Sequence, residues 1–260
     1  MTRVLSSVFT RVKMRYYLGM STDTAPSRRE RARAATVAEI KQTALELMRE
    51  QGNTDVRFSD IARVMGLTPP ALYRYYADRD ELLTDMITDA YRDLGAALQV
   101  SARGVDTVAA ADQLQLVAGA YRGWALADPQ RFALIFGPPV PGYAAPEDGP
   151  TVEAAQGAMA NLAAVVHRAA ARGELREPII IGVEPEAQAC LMEDKSDGFA
   201  DGLSPAVHQA MIHAWASLHG FVCLEAYGHL DWFTSPAREQ MFRAQVTLAG
   251  LAIGISGPSA

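Results

Sequence analysis

The chain has 260 residues, 49% of them hydrophobic and 21% charged, with a net charge of −6. That balance suits one or two globular domains, and no window reaches the ~18 unbroken apolar residues that a membrane span requires. Cys190 and Cys223 are the only cysteines. Two cysteines make no disulfide framework, so a reducing, cytoplasmic setting is expected.

The charge is split. Residues 1–79 carry 14 basic against 8 acidic side chains, a balance of +6, and residues 80–260 carry 10 against 22, a balance of −12. A basic end that meets a polyanion and an acidic body that does not is one reading, and a solvated arm is the other.

The opening MTRVLSSVFTRVKMRYYLGM is basic, and arginines and a lysine interrupt its apolar residues, so it lacks the clean run of a signal peptide. A poorly ordered arm is expected over residues 1–27. Helical spacing then takes over: Val37, Ile40, Ala44, Leu47 and Met48 share one face, and Gly52 stops that helix. Ile61, Ala62 and Met65 mark a short second helix, and Pro69 to Tyr76 a third. Asp78 with Glu81 reads as a capping box. It opens a long helix carrying Leu82, Leu83, Met86, Ile87, Ala90, Leu94 and Leu98.

Further helices are expected at roughly 106–127, 129–136, from Thr151 to Gly173, and at 205–228 and 236–254. Asp128-Pro129 and Ser235-Pro236 set two of those starts as cap and first position. The proline- and glycine-rich stretch 137–150 and the polar stretch 193–205 read as loops. Alternating β-branched runs are absent apart from Pro178 to Ile181. The expected fold is all-α: a three-helix head over 28–79 runs without a linker into a larger helical body over 80–260.

The stretch FSDIARVMGLTPPALYRYY, residues 58–76, carries the functional signal. Ile61, Ala62 and Leu67 are expected to pack inward. Gly66 stands where a tight turn needs positive φ, and Leu72 ties the third helix to the core. This is helix-turn-helix spacing, with the second helix of the pair available to a DNA major groove. Thr68 is the N-cap. Pro69 and Pro70 occupy the first turn, where backbone N–H groups have no intrahelical partner in any case. Proline rings and the Ala71 methyl can touch thymine methyls, and Arg74 can donate a bidentate pair to guanine. Tyr73, Tyr75 and Arg79 can reach phosphates. Arg28, Arg29, Arg31 and Arg33 form a basic arm that can lie along or inside the minor groove, or stand as a solvated helix start.

The block from Thr36 to Leu83 resembles the DNA-binding head of the tetracycline-repressor (TetR) family of bacterial regulators. The resemblance rests on Ile61-Ala62, Gly66-Leu67-Thr68, Leu72-Tyr73, Tyr75-Tyr76 and Asp78 to Leu82. It implies a homodimeric repressor of transcription. Its two heads read a palindromic operator in double-stranded DNA, and a small molecule in the body moves the connecting helix and separates them. By position, Thr68, Tyr73, Tyr75 and Arg79 match phosphate-contacting places, and Pro69, Pro70, Ala71 and Arg74 base-reading ones. Arg57 and Ser59 stand at the start of the second helix, where the family touches backbone or base. A hydroxyl commonly opens that helix, whereas here Arg57 and Phe58 do.

His213 to Gly220 resembles a subclass of these regulators named for a Trp-His-Gly element, matched by Trp215, His219 and Gly220. These residues either pack the core or touch a ligand. Candidate ligand contacts are Tyr91, Tyr121, Trp124, Phe132, Phe136, Tyr143, His167, Trp215 and His219. The last two helices carry Leu218, Val222, Leu224, Phe242, Val246, Leu248 and Leu251, which the resemblance implies as a four-helix dimer interface. No cofactor or metal is expected: His208, His213 and His219 have irregular offsets, and no hydrolase, metalloprotease, P-loop or dinucleotide pattern occurs, so the chain does not read as an enzyme. The alternative is a ligand-independent regulator or activator whose body docks a protein partner.

Overall fold

The computed structural model describes residues 27–105, 107–146, 149–180, 182–193 and 202–255. Among them are ten α-helices, one more than the spacing predicts, and no strand, as expected. The expectation of a poorly ordered arm falls on residues outside this set, apart from Ser27. No helix among the described residues is long and apolar enough to cross a membrane.

The chain divides into two compact units after Gln42, within the first helix α1, Arg28–Gln51. The first unit shows how α1 begins. Ser27 N–H donates to Glu30 Oε2 at 2.7 Å, and Glu30 N–H donates back to Ser27 Oγ at 3.2 Å, a reciprocal capping box. These bonds hold the Glu30 carboxyl below its ordinary range. Arg28, Arg29, Arg31 and Arg33 are therefore the first two turns of a helix and not an extended arm. A helix ~10–12 Å across cannot enter a minor groove ~6 Å wide. Of the two readings of this segment, the exposed helix start is the one the backbone adopts.

The second unit contains the rest. Short helices α2, Phe58–Val64, and α3, Pro69–Leu72, precede the long α4, Arg79–Ser101. Asp78 caps α4 by accepting from Glu81 N–H at 2.8 Å, while the Glu81 carboxylate returns to Ala77 N–H, one residue earlier than a regular capping box. The body continues with α5, Ala110–Ala127, α6, Pro129–Phe136, and α7, Pro150–Ala171. It closes with α8, Pro185–Glu193, α9, Pro205–Ala226, and α10, Ser235–Ile253. α5 begins later than expected because its first free amide, Ala110 N–H, is met by Glu174 Oε2 at 3.0 Å from beyond α7. α8 is an element the sequence reading did not assign: its residues are mostly exposed, so it carries no clear apolar stripe.

The core of the body gathers Leu94 and Leu98 of α4, Tyr121 and Ala125 of α5, Phe132 of α6, and Val165 of α7 with Val222 of α9 and Val246 of α10. The β-branched run near 179 forms no strand. Its segment instead clasps the end of α10, with Arg176 N–H on Gly254 O at 2.9 Å and Ile179 N–H on Ala252 O at 3.2 Å. Gly254 has φ +102, and a Cβ there would collide with the Arg176 carbonyl.

A buried charge cluster braces α5, α9 and α10. Arg122 donates through Nε and Nη2 to both Glu225 oxygens, at 2.6 and 2.7 Å, and through Nη1 to Glu239. Arg238 Nε lies 3.2 Å from Glu225 Oε1, and the Glu225 side chain is only 3% exposed. Bonds from Arg243 and then Arg122 hold the Glu239 carboxyl below its usual range.

Candidate nucleic-acid interface and effector cavity

The turn between α2 and α3 is built from backbone alone. Leu67 N–H donates to Ala62 O at 2.8 Å and Gly66 N–H to Arg63 O at 3.3 Å, the paired bonds of a Schellman ending, and Gly66 has φ +65. Leu72 is fully buried and fixes α3, whereas Leu67, expected to be inward, is 36% exposed. The Schellman bonds hold the Leu67 backbone, so its side chain is not needed to set the turn.

Thr68 caps α3 in an extended conformation without a side-chain cap bond. The reason lies in the prolines: Pro69 and Pro70 have no N–H to donate, and Ala71 N–H goes to Thr68 O at 2.8 Å. The Thr68 hydroxyl is thereby left at an exposed edge beside Pro69 and Pro70. Arg57, Ser59, Tyr73 and Arg74 are also exposed, and Ala71 and Tyr75 are half-buried. Arg57 caps α2 with no side-chain bond, in keeping with the missing hydroxyl. Tyr73 is 58% exposed and leans on Phe58, with ring centroids 5.3 Å apart. Tyr76, by contrast, is core: its hydroxyl donates to Asp85 at 2.6 Å, and burial followed by that carboxylate raises its pKa.

Arg79 departs from the expected phosphate role. Its Nη2 lies 2.6 Å from Asp55 Oδ1, its Nε donates to Val56 O at 3.0 Å, and its Nη1 donates to Pro141 O at 3.3 Å. A guanidinium engaged on three sides stitches α4 to the loop before α2. A phosphate would have to displace those bonds, so the structure favours a structural role for it.

The body carries a pocket of about 380 Å³ between α5, α7 and α9, partly open to solvent, with Ile253 of α10 on its wall. Alanines make the room: Ala118, Ala155, Ala160, Ala163 and Ala214 line it, with Met159, Met211, Leu114 and Leu218 between them.

Of the expected ligand contacts, Tyr121 and Trp215 stand on this wall. Tyr91, Phe132, Phe136 and His219 do not line it; they form the aromatic cluster behind, where Phe136 meets Tyr91 at 6.0 Å, Trp215 at 5.8 Å and His219 at 5.0 Å. Their rings fill one another's space, which is why they are core and not wall. Trp124 turns outward, donating from Nε1 to Asp93 at 3.0 Å, and His167 is half-buried on α7 away from the cavity. Tyr143 is placed elsewhere too, its hydroxyl 3.0 Å from Thr84 Oγ1. His208, Gln156, Met159 and Met211 belong to the wall and were not anticipated. Apolar side chains at helical spacing read the same whether they face a void or a neighbour.

Tyr121 OH lies 2.7 Å from His219 Nδ1, and Cys223 Sγ lies 3.4 Å from His219 Nε2. Trp215 stacks on the imidazole at 5.1 Å. Burial pushes the His219 pKa down and the Cys223 pKa up, so both groups are neutral in the fold. As pH falls through about 6.5 the unfolded chain takes the proton first, so the stability His219 contributes above that pH is lost as pH drops toward its depressed folded value. Denaturation midpoints taken from about pH 8 to about pH 5 should therefore fall less steeply in His219→Gln than in the wild type. Equal slopes would remove His219 from the acid response.

A helix-turn-helix head joined to a helical body with an apolar cavity is the architecture of a DNA-binding transcriptional regulator. Residues 40–86 match the family model of bacterial regulatory proteins of the tetR family, and residues 114–249 match the tetracyclin repressor-like C-terminal domain. The chain is 33% identical to the HTH-type transcriptional regulator Rv1816 of Mycobacterium tuberculosis over 225 residues, covering 85% of this chain and 93% of that one. It is equally similar to the regulator Mb1846 of Mycobacterium bovis. Among solved structures, the regulatory protein SCO4313 shares 34% identity at a TM-score of 0.66, covering 86% of this chain and 98% of that one. The regulator PfmR from Thermus thermophilus, at 17% identity and a TM-score of 0.51 over 85% of this chain and 99% of that one, shares the fold. The chain belongs to the TetR family of transcriptional regulators.

Proposed function

We propose that this chain is a homodimeric repressor that holds a palindromic operator and lets go when a small molecule fills the body cavity. Thr68, Tyr73 and Tyr75 contact phosphates, with Arg57 and Ser59 at the edge of the same surface. Pro69, Pro70, Ala71 and Arg74 meet base edges. The observation that supports this reading best is α6, which touches both ends of the mechanism. Its N-cap Asp128 holds Arg49 of the head at 2.7 Å, and Gln130 Nε2 donates to Asn53 O at 3.1 Å. Its last residue, Phe136, packs on Trp215 of the cavity wall at 5.8 Å. An occupant that displaces Trp215 moves Phe136 and, through α6, the anchor of the head.

Dimerisation uses the outer faces of α9 and α10. Leu224, Met241, Leu248 and Leu251 are exposed there, whereas Leu218, Val222, Phe242 and Val246, grouped with them on sequence grounds, point into the protomer. A twofold dimer presents two heads to two half-sites about one helical turn, ~34–36 Å, apart.

Selection of duplexes from a random pool, without added small molecules, tests the reading. It should return an inverted repeat with steep salt dependence. Arg74→Ala should then cost ~1–3 kcal/mol per half-site and relax preference at one position in each. Uniform weakening on every sequence would remove Arg74 from base reading, and no enrichment of any inverted repeat would overturn the function.

A further inference from the structure

We propose that the body cavity selects uncharged, largely apolar molecules with few hydrogen-bonding groups, and rejects carboxylates, phosphates and ammonium ions. This rests on the reading of the chain as an effector-responsive regulator and names the chemistry of the effector. Eighteen side chains line the space, and none is Asp, Glu, Lys or Arg. An ion seated on this lining would give up much of its water shell and meet no carboxylate, ammonium or guanidinium group there. Among the described residues, no arginine of the body stands on this wall: Arg122 pairs with Glu225 and Glu239, and Arg168 donates from Nε to Gln113 Oε1 at 2.9 Å while its buried Nη2 has no hydrogen-bond partner.

Polar side chains on the wall are few. The Tyr121 hydroxyl is already engaged with His219 Nδ1. Gln156 on α7, His208 on α9 and the Trp215 indole are its other polar side chains, set into walls that are otherwise aliphatic. An occupant can satisfy one or two polar atoms there, such as a hydroxyl or carbonyl oxygen, and must be apolar over the rest of its surface. Met159 and Met211 are unbranched and adjustable, so the wall accepts a range of apolar shapes and discriminates chiefly by charge.

The test uses the full chain and two dyes that differ by one sulfonate. N-phenyl-1-naphthylamine, neutral, should bind saturably with one site per protomer and brighten, and 8-anilino-1-naphthalenesulfonate should bind at least tenfold more weakly. Octan-1-ol should displace the neutral dye, while octanoate and octylammonium, both ionised near neutral pH, should not. Ala163→Leu, which takes up cavity space, should weaken the neutral dye. Comparable binding of the sulfonate, displacement by either ion as effective as by the alcohol, or no saturable site for the neutral dye in the wild type would each overturn the proposal. These readouts need no DNA. Failure to bind an inverted repeat would sink the regulator reading and leave the dye selectivity intact, and the reverse pattern would sink only the effector chemistry.

Discussion

Replacing Leu224 and Leu248 together by glutamate yields a folded monomer whose operator affinity falls by roughly 10²–10⁴-fold, the gain that a second linked binding event supplies. Both residues are apolar and open, at 46% and 60% exposure, and neither belongs to the protomer core. The substitution therefore leaves helix packing alone and places four like charges across a twofold contact. Light scattering should report the protomer mass of 28.1 kDa, and circular dichroism should be unchanged. Val222→Glu is the informative contrast: Val222 is fully buried, so it should unfold the body before it dissociates anything. A double variant that remains dimeric would move the interface away from α9 and α10.

Glu225→Ala should lower the stability of the folded chain by about 3–5 kcal/mol, the usual cost of removing one partner from a buried ion pair. The magnitude follows from what is left behind. Glu225 accepts from Arg122 and is an ion-pair partner of Arg238; the two arginine side chains are only 13% and 20% exposed, and Arg238 also holds Asp231 at 3.1 Å. Glu239 remains beside Arg122, but it is itself shared with Arg243 and lies nearer the solvent. Pairing Glu225→Leu with Arg122→Leu should recover part of the loss, since neither partner of that pair then remains as a buried charge. Chemical denaturation of the two variants decides the matter: a single variant within about 1 kcal/mol of wild type would show that water reaches the cluster and that it does not brace the three helices.

Nine of the ten described helices and most of their boundaries were legible because proline, glycine and cap residues mark them, α8 being the exception. Asp128-Pro129 opens α6 with Asp128 accepting from Arg131 N–H at 3.1 Å, and the αL glycines Gly66 and Gly254 stand at helix ends. The α2–α3 turn was legible for the same reason, and the Thr36–Leu83 block was enough to identify the family. Three things were not. The role of Arg79 depends on Asp55 and Pro141, which no local pattern links to it. The arginine arm left two readings open, a groove-lying arm and a helix start, and the Ser27–Glu30 pair that decides for the helix stands just before the arginines. The cavity was sought among the large aromatic side chains, which instead pack on one another; a void is made by what is small, and alanines on α5, α7 and α9 look like ordinary core in one dimension.

That alanine lining has an evolutionary consequence. Wherever a β-carbon borders open space, a single codon change to valine or another longer side chain reshapes the chamber without forcing its neighbours to repack, at the cost of volume alone. On the proposed function, a lineage can thus exchange one effector for another through a few point substitutions at positions such as Ala118, Ala160 and Ala214, leaving its DNA-reading surface untouched.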